Sequence, residues 1–308
     1  LCDNAMVVVN IVGTPNPDPN NPPVAVDDLA FICSAETVVM DLLLNDSDPN
    51  GDAISFNGII TPPTKGVLNL VSNGVYKYIP SAGFTTGSDT FYYRICDNGV
   101  PSKCDTGRGI VFVRPTPVIS ASPSSLVICS GDSVNIAMSS STAAIISWTA
   151  TNGTSGTGDV ATTLSNVGLN DIVVTYTFTS VSAAGGCEGN TVTVPVTVKP
   201  RPTVFVNPSA NLVCDGEAVV IVMASNYSGA TFNWVSNTGK SGSGLFIIDT
   251  LSNRGVIDST VTYTITPQLN GCSGTPAVVN VVVKPLPVVT LTAVDDSVCN
   301  GEQVVINA

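Results

Sequence analysis

The feature that most constrains this chain is internal repetition, with a period of roughly 85 residues. Cys129, Cys214 and Cys299 are evenly spaced, and Cys187 and Cys272 keep the same interval. Trp148 and Trp234 nearly match it, as do Tyr176 and Tyr263. The surrounding words agree: VICSGDSVNI, LVCDGEAVVI and SVCNGEQVVI; ISWTATNGTSGTG and FNWVSNTGKSGSG; VTYTFT and VTYTIT; GCEGNTVTV and GCSGTPAVV. So many markers at one period predict an array of small units rather than the two domains that 308 residues suggest.

Each unit closes on Val-(Lys/Arg)-Pro-x-Pro, at VRPTP ending at Pro117, VKPRP ending at Pro202 and VKPLP ending at Pro287. Proline fixes φ and lacks an N–H, so strand pairing stops there and a stiff, extended connection begins. The layout is then a strand remnant at 1–13, a Pro-rich linker at 14–21, and units at 22–114, 115–200 and 201–285. A further unit begins at 286–308. Cys2–Val12 repeats the Cys-Asp-then-strand pattern of Cys104–Val113, which predicts the last strand of a preceding domain and a chain that is an internal slice of a longer one.

Short Val, Ile and Thr runs, punctuated by 27 Gly and 21 Pro, read as all-β. Units of this size with about seven strands fit small tandem β-sandwiches. No apolar run reaches the ~18–20 residues of a membrane helix, so no direct membrane insertion of this segment is expected. Net charge is −12, which opposes general binding to nucleic acid and docking on anionic lipid. There is no histidine. That removes the Ser-His-Asp and Cys-His sites and most zinc ligand sets. The acids are scattered in turns rather than paired in a cleft motif. No catalytic residues are expected, and the chain is read as not an enzyme.

Nine cysteines in small β units predict an oxidising compartment. Units two and three hold two each, at equal separations. This predicts Cys129–Cys187 and Cys214–Cys272, each worth roughly 4 kcal/mol by closing a loop of roughly 58 residues. Cross-unit pairing, such as Cys187–Cys214, is the rival. In unit one Cys96–Cys104 is expected, with Cys33 a buried thiol and Cys33–Cys104 the alternative. Cys299 and Cys2 are expected to find partners outside the sequence. A zinc site is disfavoured, since no CxxC occurs.

Unit one carries Asn45-Asp46-Ser47-Asp48-Pro49-Asn50-Gly51-Asp52. Oxygen side chains at alternate positions before a glycine suit a hard cation such as calcium. The candidate ligands are Asp46, Asp48, Asn50 and Asp52, with Asp27 and Asp28 as possible additions. An acidic turn capping its own backbone explains the same residues. No cofactor is required by anything in the sequence. Trp148 and Trp234 read as core residues rather than a ligand platform. Tyr76, Tyr78, Tyr92 and Tyr93 read as structural cross-strand positions.

The words PPVAVDD, LLLNDSDPNGDAIS, YKYIPSAGFTTGSDTFYYRICDNG and the closing VFV strand make unit one resemble the immunoglobulin-like or cadherin-like tandem domains of bacterial surface proteins. The CSGDSV and CDGEAV words, the Trp strand and the GC hairpin before VTVKP make units two and three resemble the PKD-like repeats of giant secreted Bacteroidota proteins. This resemblance implies an extracellular stalk of a gliding-type surface adhesin exported by type IX secretion. Its partners are neighbouring repeats of the same chain and other surface or secretion-system proteins. It also implies O-glycosylation at Asp-Ser/Thr followed by an apolar residue or Thr, which occurs at Ser133, Thr250, Ser259 and Ser297. The alternative function is a carbohydrate-binding accessory module of a secreted polysaccharide-degrading enzyme.

Overall fold

A computed structural model describes residues 19–287 and, beyond them, only 292–293, 300, 303 and 306–307. The strand remnant at 1–13, Cys2, Ser297 and Cys299 therefore lie outside the described residues. Three all-β units succeed one another, each a pair of sheets closed over one apolar core. There is no helix among the described residues.

Unit one contains β1 (Asp28–Cys33), β2 (Val38–Asp41), β3 (Ser55–Thr61), β4 (Gly66–Ser72), β5 (Val75–Pro80), β6 (Gly87–Cys96) and β7 (Cys104–Arg114). Its sheets are β1-β7-β6-β3 and β2-β5-β4. Unit two contains β8 (Ile119–Ser122), β9 (Leu126–Cys129), β10 (Ser133–Ser140), β11 (Ala144–Ala150), β12 (Ser155–Thr157), β13 (Val160–Thr163), β14 (Ile172–Ser182) and β15 (Val192–Lys199). Unit three repeats this order with β16 (Phe205–Pro208), β17 (Leu212–Cys214), β18 (Ala218–Ala224), β19 (Thr231–Ser236), β20 (Ser241–Ser243), β21 (Phe246–Thr250), β22 (Ser259–Leu269), a short β23 (Cys272–Ser273) and β24 (Ala277–Lys284). The sheet orders also match: β13-β10-β8 with β12-β11-β14-β15-β9, and β16-β18-β21 with β17-β24-β22-β19-β20.

Alternation drives the packing. Along β14 the inward residues Val174, Tyr176 and Phe178 are buried while Val173 faces solvent, as period-two strands with one buried face require. Val261, Tyr263 and Ile265 of β22 do the same in unit three. Trp148 and Trp234 are half-buried at the rim of the core, each edge-on to a core tyrosine. Each indole lies over a glycine on the neighbouring strand, Gly156 or Gly242. A Cβ on either glycine would stand 2.6 or 2.8 Å from the ring, which is why the strands after each Trp read SGT and SGS.

The tyrosine beneath each Trp marks an internal difference. In unit three Tyr263 donates to buried Asp249 at 2.6 Å, and Lys240 pairs with the same carboxylate. In unit two Thr162 takes the register position of Asp249, and the Tyr176 hydroxyl has no partner.

The parallel pairing of the strand that ends in cysteine with the last strand decides what lies at each end of a unit. β1 runs parallel to β7, β9 to β15, and β17 to β24. The cysteine at the end of that strand therefore sits beside the residue from which the chain leaves the unit. The hairpin before the last strand lies at the opposite, upstream end, facing the preceding unit.

Candidate functional site: the clasp between units

The downstream end of each unit is built alike. Cys33 is in register with Arg114, Cys129 with Lys199 and Cys214 with Lys284. The next residue, Ser34, Ser130 or Asp215, donates its N–H to the carbonyl of that basic residue at 2.8, 2.8 and 2.9 Å. The chain then turns sharply. Gly131 and Gly216 take φ of 85° and 87°, and Ala35 holds the same turn at 68°, a conformation glycine adopts most readily. The acid three residues after each cysteine folds back to accept the cysteine N–H, with Glu36 at 2.9, Asp132 at 3.0 and Glu217 at 2.7 Å. A Cys-x-(Gly/Ala)-acid word is thus a turn that fixes the thiol at the unit's edge.

The upstream hairpins of units two and three meet these ends. Cys33 is bonded to Cys187 and Cys129 to Cys272, each with Cα atoms 5.6 Å apart. The expected Cys129–Cys187 and Cys214–Cys272 bridges are therefore corrected, and Cys33 is not a buried thiol. The physical reason is the parallel ladder. Cys129 lies beside the end of β15 while Cys187 precedes its start. The eight residues of β15 hold them about 25 Å apart at ~3.3 Å per residue, and a disulfide tolerates Cα separations only below ~7 Å. Cys96–Cys104 closes unit one's own upstream hairpin at directly opposed positions. Cys214 is exposed and unbonded among the described residues.

Polar contacts surround each bridge. Arg114 donates to the Gly185 carbonyl at 3.2 Å, and Lys199 to the Asn270 carbonyl at 3.0 Å. Both acceptors lie in the turn just before the hairpin cysteine. At the second junction Arg201 adds bonds to the Ser130 and Ser273 carbonyls and pairs with Asp132. At the first junction the same linker position is Thr116, which bonds only to Ser34. Tyr227 also reaches across the second junction to the Gly168 carbonyl at 3.0 Å. Behind each hairpin cysteine a glycine admits the linker backbone. A Cβ on Gly189 would lie 2.2 Å from the Pro117 carbonyl oxygen, and one on Gly274 1.7 Å from that of Pro202.

Several acidic residues of unit one accept hydrogen bonds or form an ion pair within the unit. Asp48 accepts the N–H groups of Asn50 and Asp52, closing the turn on itself. Asn50 accepts from Asn21, and Asp46 accepts the Val26 N–H and the Tyr93 hydroxyl. Asp27 pairs with Arg108. Among the described residues no three His, Cys, Asp or Glu side chains converge as a metal ligand set. Burial pushes the Asp28 carboxyl up to about 6, and the negative charge of Asp46 adds to the shift. Burial likewise raises Asp46.

Of the Asp-Ser/Thr positions, Ser133 and Thr250 are exposed and Ser259 is half-buried. The acid before Thr250 is buried Asp249, held by Tyr263 and Lys240. Tyr78 and Tyr93 of unit one serve the core, Tyr78 donating to buried Asp89 and Tyr93 to the Val26 carbonyl, whereas Tyr92 is exposed. Inter-unit pairing, which the sequence offered only as the rival and with Cys187–Cys214 as its example, is the arrangement found, with other partners. Its signal was the leftover Cys33, since shifting every partner by one unit leaves no cysteine of units one and two unmatched.

Two families match by sequence. The bacterial Ig domain matches residues 20–106, and the PKD-like domain matches 126–202 and 211–287. Comparison with curated proteins finds no match. Among solved structures, mouse Cadherin-23 EC22-24 is 15% identical over 87% of this chain and 100% of that chain, with a TM-score of 0.36. The human Desmocollin-1 ectodomain is 13% identical over 92% and 65%, with a TM-score of 0.33. Drosophila N-cadherin EC1-4 is 13% identical over 87% and 74%, with a TM-score of 0.29.

Proposed function

Because this chain belongs to the PKD-like domain family, with a bacterial Ig domain ahead of its two PKD-like units, we propose that it is a stalk segment of a long secreted bacterial surface adhesin. Its role is mechanical and non-catalytic: it holds a distal binding region away from the cell. The supporting observation is that each described junction carries a disulfide from one unit to the next. A staple that crosses a linker adds nothing to a unit's own core. It limits how far neighbouring units can separate, which matters where the chain bears tension. It also persists only outside a reducing cytosol. Neighbouring repeats are the immediate partners. Type IX export and a place on a gliding cell form the finer part of this proposal.

Single-molecule stretching between Cys33 and Cys272 tests the reading. The shortest covalent path crosses the Cys33–Cys187 bridge, runs back along the chain to Cys129 and crosses the second bridge to Cys272. At ~3.5 Å per extended residue, the roughly 58 residues of that path reach about 200 Å, whereas the roughly 240 residues of the reduced chain reach about 840 Å. An extension unchanged by reductant would sink the proposal. The carbohydrate-binding reading instead requires micromolar-to-millimolar affinity of the intact chain for a polysaccharide, which the stalk role does not.

A further inference from the structure

The structure assigns the exposed end of unit three, around Cys214 and Lys284, as a covalent socket for the Cys-x-Gly hairpin of a fourth PKD-like unit. This deepens the stalk reading and rests on it. The argument is that the socket is already formed. Cys214 is in register with Lys284, as Cys129 is with Lys199. The Asp215 N–H bonds the Lys284 carbonyl, and Glu217 caps the cysteine N–H. Gly216 donates to Leu251 as Gly131 does to Leu164. Every element that presents a thiol at the two filled junctions is present at the third, and the thiol is exposed there. The occupant is specified by the filled copies. It carries a cysteine after a turn whose carbonyl accepts from a lysine or arginine, and a glycine two residues on that admits the linker. Residues 283–287 repeat the VKPxP linker, and SVCNGEQVVI repeats the opening words of units two and three. The sequence beyond the linker therefore opens another unit of the same kind.

The bond forms from two thiols, which lose two electrons and two protons. The acceptor is a disulfide, either a small molecule such as oxidised glutathione or a protein disulfide, which leaves as two thiols. Once formed, this bond sets a short covalent route along the array. It runs from Cys33 through the first bridge to Cys187, along the chain to Cys214, and across to the fourth unit.

The test supplies the missing hairpin to the full chain. Residues 1–287 are joined to 203–308, which duplicates unit three in frame, and the protein is refolded in a glutathione redox buffer. Alkylation and non-reducing peptide mapping are expected to link the first Cys214 to the second copy's Cys272. The second Cys214 should be alkylated, as Cys214 should be in the unaltered chain. A second chain with residues 118–202 appended after 287 asks the same of Cys187. Amide exchange reports whether the appended unit is folded. If it is protected in either chain and the first Cys214 is still fully alkylated, the socket assignment is wrong. The stretching limit between Cys33 and Cys272 does not involve Cys214, so failure here leaves the stalk reading to its own test.

Discussion

Units two and three share strand order, pairing register and a half-buried Trp over a glycine, yet differ in how firmly polar groups fasten them. Unit three has Arg201 across its upstream junction and Asp249 under its core tyrosine. Unit two has Thr116 and Thr162 at those places. The staple, the basic residue beside it and the hairpin glycine do not vary. The covalent fastening is therefore common to both junctions, whereas the polar contacts around it and beneath the core tyrosine differ from unit to unit.

The largest effect comes from breaking the common part. Either bridge alone should hold Cys33 and Cys272 to about 300 Å at ~3.5 Å per residue. Without Cys33–Cys187, the route passes through Cys96–Cys104 and Cys129–Cys272, and its length in residues nearly equals that of the other route. A Cys33→Ser/Cys187→Ser chain and a Cys129→Ser/Cys272→Ser chain should thus stretch alike. Both should lengthen from the about 200 Å of the doubly bridged chain, and the quadruple variant should reach about 810 Å on the same scale. Force spectroscopy under oxidising conditions reads this directly. A single-bridge variant that stretched no further than the unaltered chain, or as far as the quadruple variant, would show that the units are not stapled in this stagger.

Next in size are the hairpin glycines. Gly274→Ala pushes a methyl into the Pro202 carbonyl, and Gly189→Ala pushes one into that of Pro117. Forced overpacking of this kind costs about 1–3 kcal/mol. The shorter approach makes Gly274→Ala the worse of the two. Denaturant unfolding followed by amide exchange within each unit should rank them so, and equal or negligible losses would mean that the linkers are not seated against the hairpins.

Much of this was legible in the residues. The even cysteine period, the VKPxP linkers and the β-branched runs delimit the units and their all-β character, because periodicity and proline act locally. The bridges were not legible from spacing. Equal separations within each unit are as compatible with a one-unit shift as with pairing inside a unit. Only the parallel β9–β15 ladder, a long-range fact, sends Cys129 to the end away from Cys187. The alternating oxygens of the Asp46–Asp52 run suit a turn as well as a cation, and one Asp48 carboxylate oxygen accepts the N–H groups of Asn50 and Asp52.

The core tyrosines sharpen the comparison further. Tyr263→Phe removes the hydroxyl bonded to Asp249 and leaves a buried carboxylate with one fewer donor, at a cost of about 1–3 kcal/mol. Tyr176→Phe removes a hydroxyl that has no partner, so it should be neutral or slightly stabilising. Unit-resolved exchange separates the two. A loss in unit two as large as that in unit three would mean that Tyr176 has a partner that Thr162 does not supply.

The smallest effect concerns the junction alone. Arg201 donates to two carbonyls and pairs with Asp132, but both charged side chains are about two-fifths exposed, and exposed pairs are worth only a fraction of a kcal/mol. With its backbone bonds included, Arg201→Ala should cost about 1 kcal/mol, felt at the hairpin of unit three and not in its core. Thr116→Ala should cost a few tenths at the matching hairpin of unit two, since it removes one hydroxyl contact. The Arg201–Asp132 coupling in a double-mutant cycle should fall as salt rises from about 0.05 to about 0.5 M, over a range where the screening length shrinks to a few ångströms. The carbonyl bonds should survive that change. If Arg201→Ala instead loosened the whole unit as Gly274→Ala does, the fastening of unit three would lie in its charges, and the common staple would no longer explain what the two junctions share.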